Sequence, residues 1–125
     1  MKKTFLMSFL LCSFAVKAYE LVIPEGTTTI GVSAYEGNTN ITSVVIPNSV
    51  TSIGSYAFYG CCGLTGSLTI PEGVTTIGNG AFYGCSGLNR SLTLPDSLTT
   101  IGRYAFYQCG GLTGVRPYDK LALLF

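Results

Sequence analysis

Apolar side chains recur along this chain in short alternating stretches. Ser67-Leu68-Thr69-Ile70 places its apolar residues on one side and its polar residues on the other, as a half-buried strand requires. The same alternation appears from Glu20 to Ile23, from Ser43 to Ile46 and from Ser91 to Leu94. A proline follows each time, removing a ladder donor and ending the strand. The triplets it begins, Pro-Glu-Gly, Pro-Asn-Ser and Pro-Asp-Ser, are turn formers. A second short extended piece is predicted over Val50-Thr51-Ser52-Ile53 and its counterparts, closed by Gly54, Gly78 or Gly102. Those glycines are expected to take a conformation that a side chain would forbid. Ala57-Phe58, Ala81-Phe82 and Ala105-Phe106 then begin a predicted helical turn that ends near a cysteine.

The elements repeat. Pro24, Pro47, Pro71 and Pro95 are separated by 23, 24 and 24 residues, and Cys61, Cys85 and Cys109 by 24 each. The best-kept units read IPNSVTSIGSYAFYGCCGLTGSLT, IPEGVTTIGNGAFYGCSGLNRSLT and LPDSLTTIGRYAFYQCGGLTGV. Self-similarity at such a period marks a stacked array, because no unit can bury its own apolar side. The expected architecture is a solenoid of about four rungs, mostly β, with parallel strands roughly 4.8 Å apart and short helical turns. Leu68, Ile70, Val74, Ile77, Ala81, Phe82, Cys85 and Leu88 form its predicted core, copied at each rung.

The two ends differ from the middle. The first copy, IPEGTTTIGVSAYEGNTNITSVV, has Thr27 at the Val50 position and Asn38 at the Cys61 position, polar replacements suited to a terminal cap. Leu112 to Phe125 ends on Leu121-Ala122-Leu123-Leu124-Phe125, an apolar tail without polar cover. It either folds back over the last rung or marks a truncated array. A bare last rung, with Leu98, Ile101, Phe106 and Cys109 exposed, would be an apolar patch of several hundred Å² and a surface for self-association.

Residues 1–18 read as a cleavable signal peptide: Lys2 and Lys3, then an apolar stretch, then Val16-Lys17-Ala18. The apolar stretch is too short for a comfortable membrane span. Leu11 before Cys12 argues against lipid attachment. The expected organisation is therefore a leader over 1–18, a solenoid over 19–115 and an irregular tail over 116–125. Of the seven basic residues of the 125-residue chain, Lys2, Lys3 and Lys17 leave with the leader, so four remain against six acidic ones. No basic patch survives to hold a phosphate backbone, which excludes nucleic acid as an expected partner.

The string IPxxVTxIGxxAFxxCxxL, present three times, resembles the BspA-like (Treponema pallidum-type) leucine-rich repeats of bacterial surface proteins. The resemblance covers roughly residues 20–114. It implies a right-handed leucine-rich-repeat solenoid that is exported and binds extracellular matrix or cell-surface proteins, with no cofactor and no catalytic residues to carry over. A structural spacer, or a fragment of a larger surface protein, is the competing reading.

Candidate chemistry is sparse. The chain has no histidine, which removes Ser-His-Asp and Cys-His catalysis and the usual zinc-protease sites. The cysteines are read as a column of buried thiols packed as small hydrophobes, with an inter-rung disulfide or a soft metal as alternatives. Cys62 lies outside that column. Glu25, Asn48, Glu72 and Asp96 are read as turn residues on a solvated edge, although stacking sets Glu72 and Asp96 at a spacing that paired glycosidase carboxylates also use. Tyr59, Tyr83 and Tyr107 are expected to stack as a stripe near the convex edge, with Tyr56 and Tyr104 beside it. The stripe is either local packing or a contact patch, since Tyr combines large area with low ordering cost. On another face, Val22, Val45, Thr69 and Thr93 form a flat strip with Glu20, Ser43, Ser67 and Ser91. Asn40 and Asn89 head N-x-S/T sequons, relevant only in a glycosylating host.

Overall fold

Alternate amides of each rung point in different directions, and this builds the stack. The N–H groups of Ala57, Tyr59 and Cys61 donate within their own rung to the carbonyls of Gly54, Tyr56 and Phe58 at 3.2, 3.1 and 3.1 Å. Those of Tyr56, Phe58 and Gly60 donate instead to Asn79, Ala81 and Tyr83 of the next rung at 2.9, 2.7 and 2.7 Å. Ser33, Tyr35 and Gly37 repeat the pattern one rung earlier, onto Ser55, Ala57 and Tyr59. The arc is thus a chain of β-turns and not the helical turn expected from the Ala-Phe pairs. A helix would direct its amides along its own axis and leave none for a neighbour. In the computed structural model, which describes residues 17–116 with side chains through 112, the elements are strands joined by turns. Residues 1–16 of the predicted leader and most of the predicted tail lie outside the described residues.

Two columns of short parallel strands run up the stack. The first comprises β1 (Tyr19–Val22), β3 (Ile41–Val45), β5 (Gly66–Thr69), β7 (Leu88–Thr93) and β9 (Thr113–Arg116). The second comprises β2 (Thr29–Ile30), β4 (Ser52–Ile53), β6 (Thr76–Ile77) and β8 (Thr100–Ile101). The second is continuous, in order β2-β4-β6-β8. The first divides into β1-β3 and β5-β7-β9. The division falls where the period lengthens from 23 to 24 residues. The extra residue enters beside Gly66, whose φ is +79°, and an inserted residue disrupts a ladder locally. The Thr65 amide still reaches the Thr42 carbonyl at 3.1 Å. At the far end Arg116 pairs with Thr93, so the ladder runs slightly past the predicted solenoid boundary.

The core is the set of columns that the repeat predicts. Leu68, Ile70, Val74, Ile77, Ala81, Phe82, Cys85 and Leu88 are all buried, and among the described residues no polar or charged residue joins them. Phe58, Phe82 and Phe106 stack nearly parallel at centroid spacings of 5.1 and 5.2 Å, and Tyr35 continues the stack onto Phe58 at 5.3 Å. Each such side chain contributes roughly 1.5–3 kcal/mol by burial. Threonine and serine hydroxyls satisfy carbonyls of the rung before: Ser49 Oγ donates to the Thr27 carbonyl at 2.8 Å, and Thr99 Oγ1 to that of Thr75 at 3.0 Å.

Two expectations are corrected. Gly54, Gly78 and Gly102 do not occupy the left-handed region; their backbones lie against the preceding rung. A Cβ on Gly54 would sit 2.7 Å from the Val32 nitrogen, and one on Gly78 2.5 Å from the Ser55 nitrogen. Nor is the last rung bare. Leu98, Phe106 and Cys109 are 1%, 0% and 3% exposed and Ile101 is partly buried, so the apolar cross-section that self-association required is not presented.

Candidate binding surfaces

Tyr59, Tyr83 and Tyr107 follow the buried phenylalanines and so emerge on the outside of the arc, half-buried. Tyr59 and Tyr83 stack at 5.0 Å with their planes 18° apart; Tyr83 and Tyr107 are 5.3 Å apart and tilted by 43°. Glu36 stands at the equivalent place in the first rung, so the tyrosine column begins at the second.

A position three residues earlier carries Ser33, Tyr56, Gly80 and Tyr104. It is the third residue of a tight turn, and its backbone is left-handed in every rung: φ is 57°, 59°, 61° and 61° in that order. Such a position favours Gly or Asn, and a bulky residue there gives up roughly 1–2 kcal/mol. Tyr56 and Tyr104 accept that strain while remaining 43% and 51% exposed, so core burial does not offset it. Each leans edge-on to the main column, Tyr56 onto Tyr59 at 5.8 Å and Tyr104 onto Tyr107 at 5.4 Å and Tyr83 at 6.3 Å. Between them Gly80 carries no side chain, and the ring of Tyr56 leans into the space this leaves. A Cβ there would lie 2.8 Å from the ring of Tyr56. The result is a cleft of about 280 Å³ with tyrosine walls, floored by Gly80 and edged by Asn79 and Arg103. Aligning the repeats shows this glycine in a tyrosine column, a signal that reading Tyr59, Tyr83 and Tyr107 alone passes over.

Val45, Thr69 and Thr93 are exposed on the strand column, as is Val22. Val22 pairs with Val45 and Thr69 with Thr93. The break between β3 and β5 separates the two pairs, so the strip is not flat. A hollow of about 430 Å³ opens there, with Val45 and Ile46 on one side and Thr69 and Ile70 on the other.

The thiols of Cys61, Cys85 and Cys109 are free and buried. They donate to the carbonyls of Tyr35, Phe58 and Phe82 at 3.1, 3.2 and 3.0 Å. Burial pushes the Cys61 thiol up to about 11. The hydrogen bond with Cys109, followed by burial, holds Cys85 well above the usual thiol range. Neutral thiols bonded to backbone carbonyls are packing groups; metal ligation requires thiolates. Cys62 sits half-buried outside this column. Among the described residues no three Cys, Asp or Glu side chains converge on a metal-sized site. Glu25, Glu72 and Asp96 are exposed turn residues, as is Asn48, and Asn89 of the second sequon is also exposed.

The comparisons agree with this geometry. The family model described as "BspA type Leucine rich repeat region (6 copies)" matches residues 9–122. Among solved structures, the leucine-rich-repeat protein of T. pallidum (TpLRR) superposes with a TM-score of 0.72 at 31% identity, over 78% of this chain and 45% of that one. This chain therefore spans less than half the length of that relative. No curated protein gives a match. Among the described residues no helix is long and apolar enough to cross a membrane. With the same repeat legible in sequence, hydrogen bonding and packing, the chain belongs to the family of BspA-type leucine-rich-repeat proteins.

Proposed function

We propose that this chain is an exported adhesion module that binds extracellular matrix or cell-surface proteins through its tyrosine column. Repeats of this family generally mediate protein–protein contact. The observation that carries the reading is the outward tyrosine stack, Tyr59, Tyr83 and Tyr107, at 5.0 and 5.3 Å spacing with strained, exposed Tyr56 and Tyr104 alongside. Large aromatic area held rigidly by stacking costs little to order on binding. The strand face with Val45, Thr69 and Thr93 is a second, less aromatic contact surface. Residues 1–18 act as the leader, and the mature chain starts near Tyr19.

The test is retention of the purified mature chain on immobilised matrix proteins and epithelial surfaces. Replacing Tyr59, Tyr83 and Tyr107 with serine should abolish retention, whereas Thr69→Asp with Thr93→Asp should reduce it less. Equal retention of the tyrosine variant, or none by the parent chain, overturns the reading. Mass spectrometry of the exported product checks the leader: a chain retaining Met1 argues against export.

A further inference from the structure

We propose that the tyrosine column is a site of oxidative cross-linking, at which a peroxidase and hydrogen peroxide join Tyr83 through a carbon–carbon bond to Tyr59 or Tyr107. This goes beyond the adhesion reading and does not depend on it. The bond needs only the arrangement of the rings and access for the oxidant.

Three observations converge. First, five of the eight tyrosines, Tyr56, Tyr59, Tyr83, Tyr104 and Tyr107, form one continuous set of ring contacts, so a radical on any of them has a tyrosine neighbour. Tyr83 touches both Tyr59 and Tyr107, at 5.0 and 5.3 Å. Those two stand two rungs apart, about 10 Å, so a bond that bridges rungs within the column contains Tyr83. Holding the reacting rings side by side replaces an encounter between chains with a step inside one. Second, the oxidant has access. Tyr56 and Tyr104 are exposed and meet the column edge-on, and the column rings themselves are half-buried. Third, the side chains that ordinarily take up oxidant are absent or shielded. The chain has no tryptophan, and its two methionines, Met1 and Met7, lie within the first 18 residues. The thiols of Cys61, Cys85 and Cys109 are buried and donate to backbone carbonyls. Burial pushes Cys61 up to about 11 and Cys85 is raised as well, so near neutral pH neither presents the thiolate that oxidants attack.

The chemistry balances within the pair. Each of two neighbouring phenols gives one electron and one proton to the peroxidase, and together they reduce one hydrogen peroxide to two waters. The two phenoxyl radicals combine through ring carbons ortho to oxygen. Each of those carbons then releases its hydrogen as a proton while the oxygen of the same ring takes one up, which restores two phenols. The chain loses two hydrogen atoms and gains one carbon–carbon bond. The rings must turn from face to face towards edge to edge. Tyr83 and Tyr107 are already tilted by 43°, and Tyr59 and Tyr83 by 18°. All three stand outside the phenylalanine stack, so they turn without opening the core. Either bond joins residues 24 positions apart and closes a loop that the unfolded chain must keep.

The experiment treats the mature chain with a peroxidase and limiting hydrogen peroxide and reads dityrosine by its fluorescence. The bond is mapped by mass spectrometry after denaturation and cleavage at Glu72, Arg90 and Arg103, which separates Tyr59, Tyr83 and Tyr107. A Tyr104→Phe background assigns the last of these peptides to Tyr107, and a Cys62→Ser background removes that sulfur as a competitor. The expected product is a monomer short of two hydrogens, with the Tyr83 peptide joined to that of Tyr59 or Tyr107. Its yield per chain should not change with protein concentration, and it should melt at a higher temperature than the untreated chain. Tyr83→Phe keeps the ring and its stacking and should melt like the untreated parent, yet lose both the bond between rungs and the gain in melting temperature on oxidation. Cross-links that omit Tyr83, cross-links chiefly between copies that rise with concentration, or a gain in melting temperature that Tyr83→Phe retains overturn the inference. Oxidation taken up by Cys61, Cys85 and Cys109 while the tyrosines stay intact overturns it as well.

Discussion

Gly78 lies so close to Ser55 of the rung before that a Cβ on the glycine would come within 2.5 Å of the serine nitrogen. That atom belongs to the backbone and cannot swing aside. The same contact recurs at Gly54 and Gly102, whereas a Cβ on Gly31 would meet nothing within 4 Å. Gly78→Ala should therefore force the rungs apart and cost at least about 3 kcal/mol, in the severe tail of single substitutions. Gly31→Ala should be neutral or stabilise by about 0.4–1 kcal/mol through the unfolded chain. Urea titrations of the two variants make the comparison. Similar losses in both would mean that the glycines serve local conformation and not the approach of rungs.

Phe82 and Tyr83 are sequence neighbours with opposite environments. Phe82 is 0% exposed and stacks on both Phe58 and Phe106, while Tyr83 stands half in solvent. Phe82→Ala should cost about 3–5 kcal/mol, and Tyr83→Ala at least about 2 kcal/mol less. Denaturation midpoints at equal slope decide it. Equal costs would put the wall of the solenoid in the wrong place.

The contrast between these two residues shows how much of the fold is legible in the repeat. Identical spacing of Phe58, Phe82 and Phe106 fixes that they stack, since equivalent positions of adjacent rungs must be one strand spacing apart. The tyrosine column and the strand columns follow by the same logic. The path of the arc does not follow. Ala-Phe-Tyr favours no single turn type, and only the inter-rung amides decide between a helix and a chain of turns. The glycine column is legible as a constraint but not as to cause, because close approach and positive φ select the same residue. The cleft over Gly80 emerges only when one position is compared across all rungs, and the break between β3 and β5 is the consequence of a single inserted residue.

The cysteine column makes stability pH-dependent at the alkaline end. Burial raises the Cys61 thiol to about 11 in the folded chain, above the ordinary value of 9.0, and Cys85 is raised as well. The folded state thus holds its protons to higher pH than the unfolded one. The stabilising contribution is complete below about pH 9 and is lost progressively as pH rises through the folded value near 11. Melting temperatures should therefore fall more steeply between pH 9 and 11 for the parent than for Cys61→Ala, whatever the variant's offset at neutral pH. Parallel curves would show that the thiol is not buried as a neutral group.

Gln108 breaks a rule that the other rungs keep. Gly37, Gly60 and Gly84 occupy its position with φ of 74°, 71° and 75°, and Gln108 is held at 58°. A side chain in that region gives up roughly 1–2 kcal/mol, while glycine loses about 0.4–1 kcal/mol through the freedom of the unfolded chain. The balance favours the smaller residue, because Gln108 is exposed and contributes no core area. Gln108→Gly should raise stability by about 0.5–1 kcal/mol, the difference between those two effects. Tyr56→Gly and Tyr104→Gly remove the Cβ at the other left-handed position of the arc and should be neutral or stabilising too, yet those two should weaken retention on matrix proteins and Gln108→Gly should not. Calorimetry and the matrix-retention assay on the same three variants separate relief of strain from loss of the contact surface. If Gln108→Gly destabilises the chain, the glutamine makes a contact that outweighs its backbone cost, and strain at this column is no guide to function.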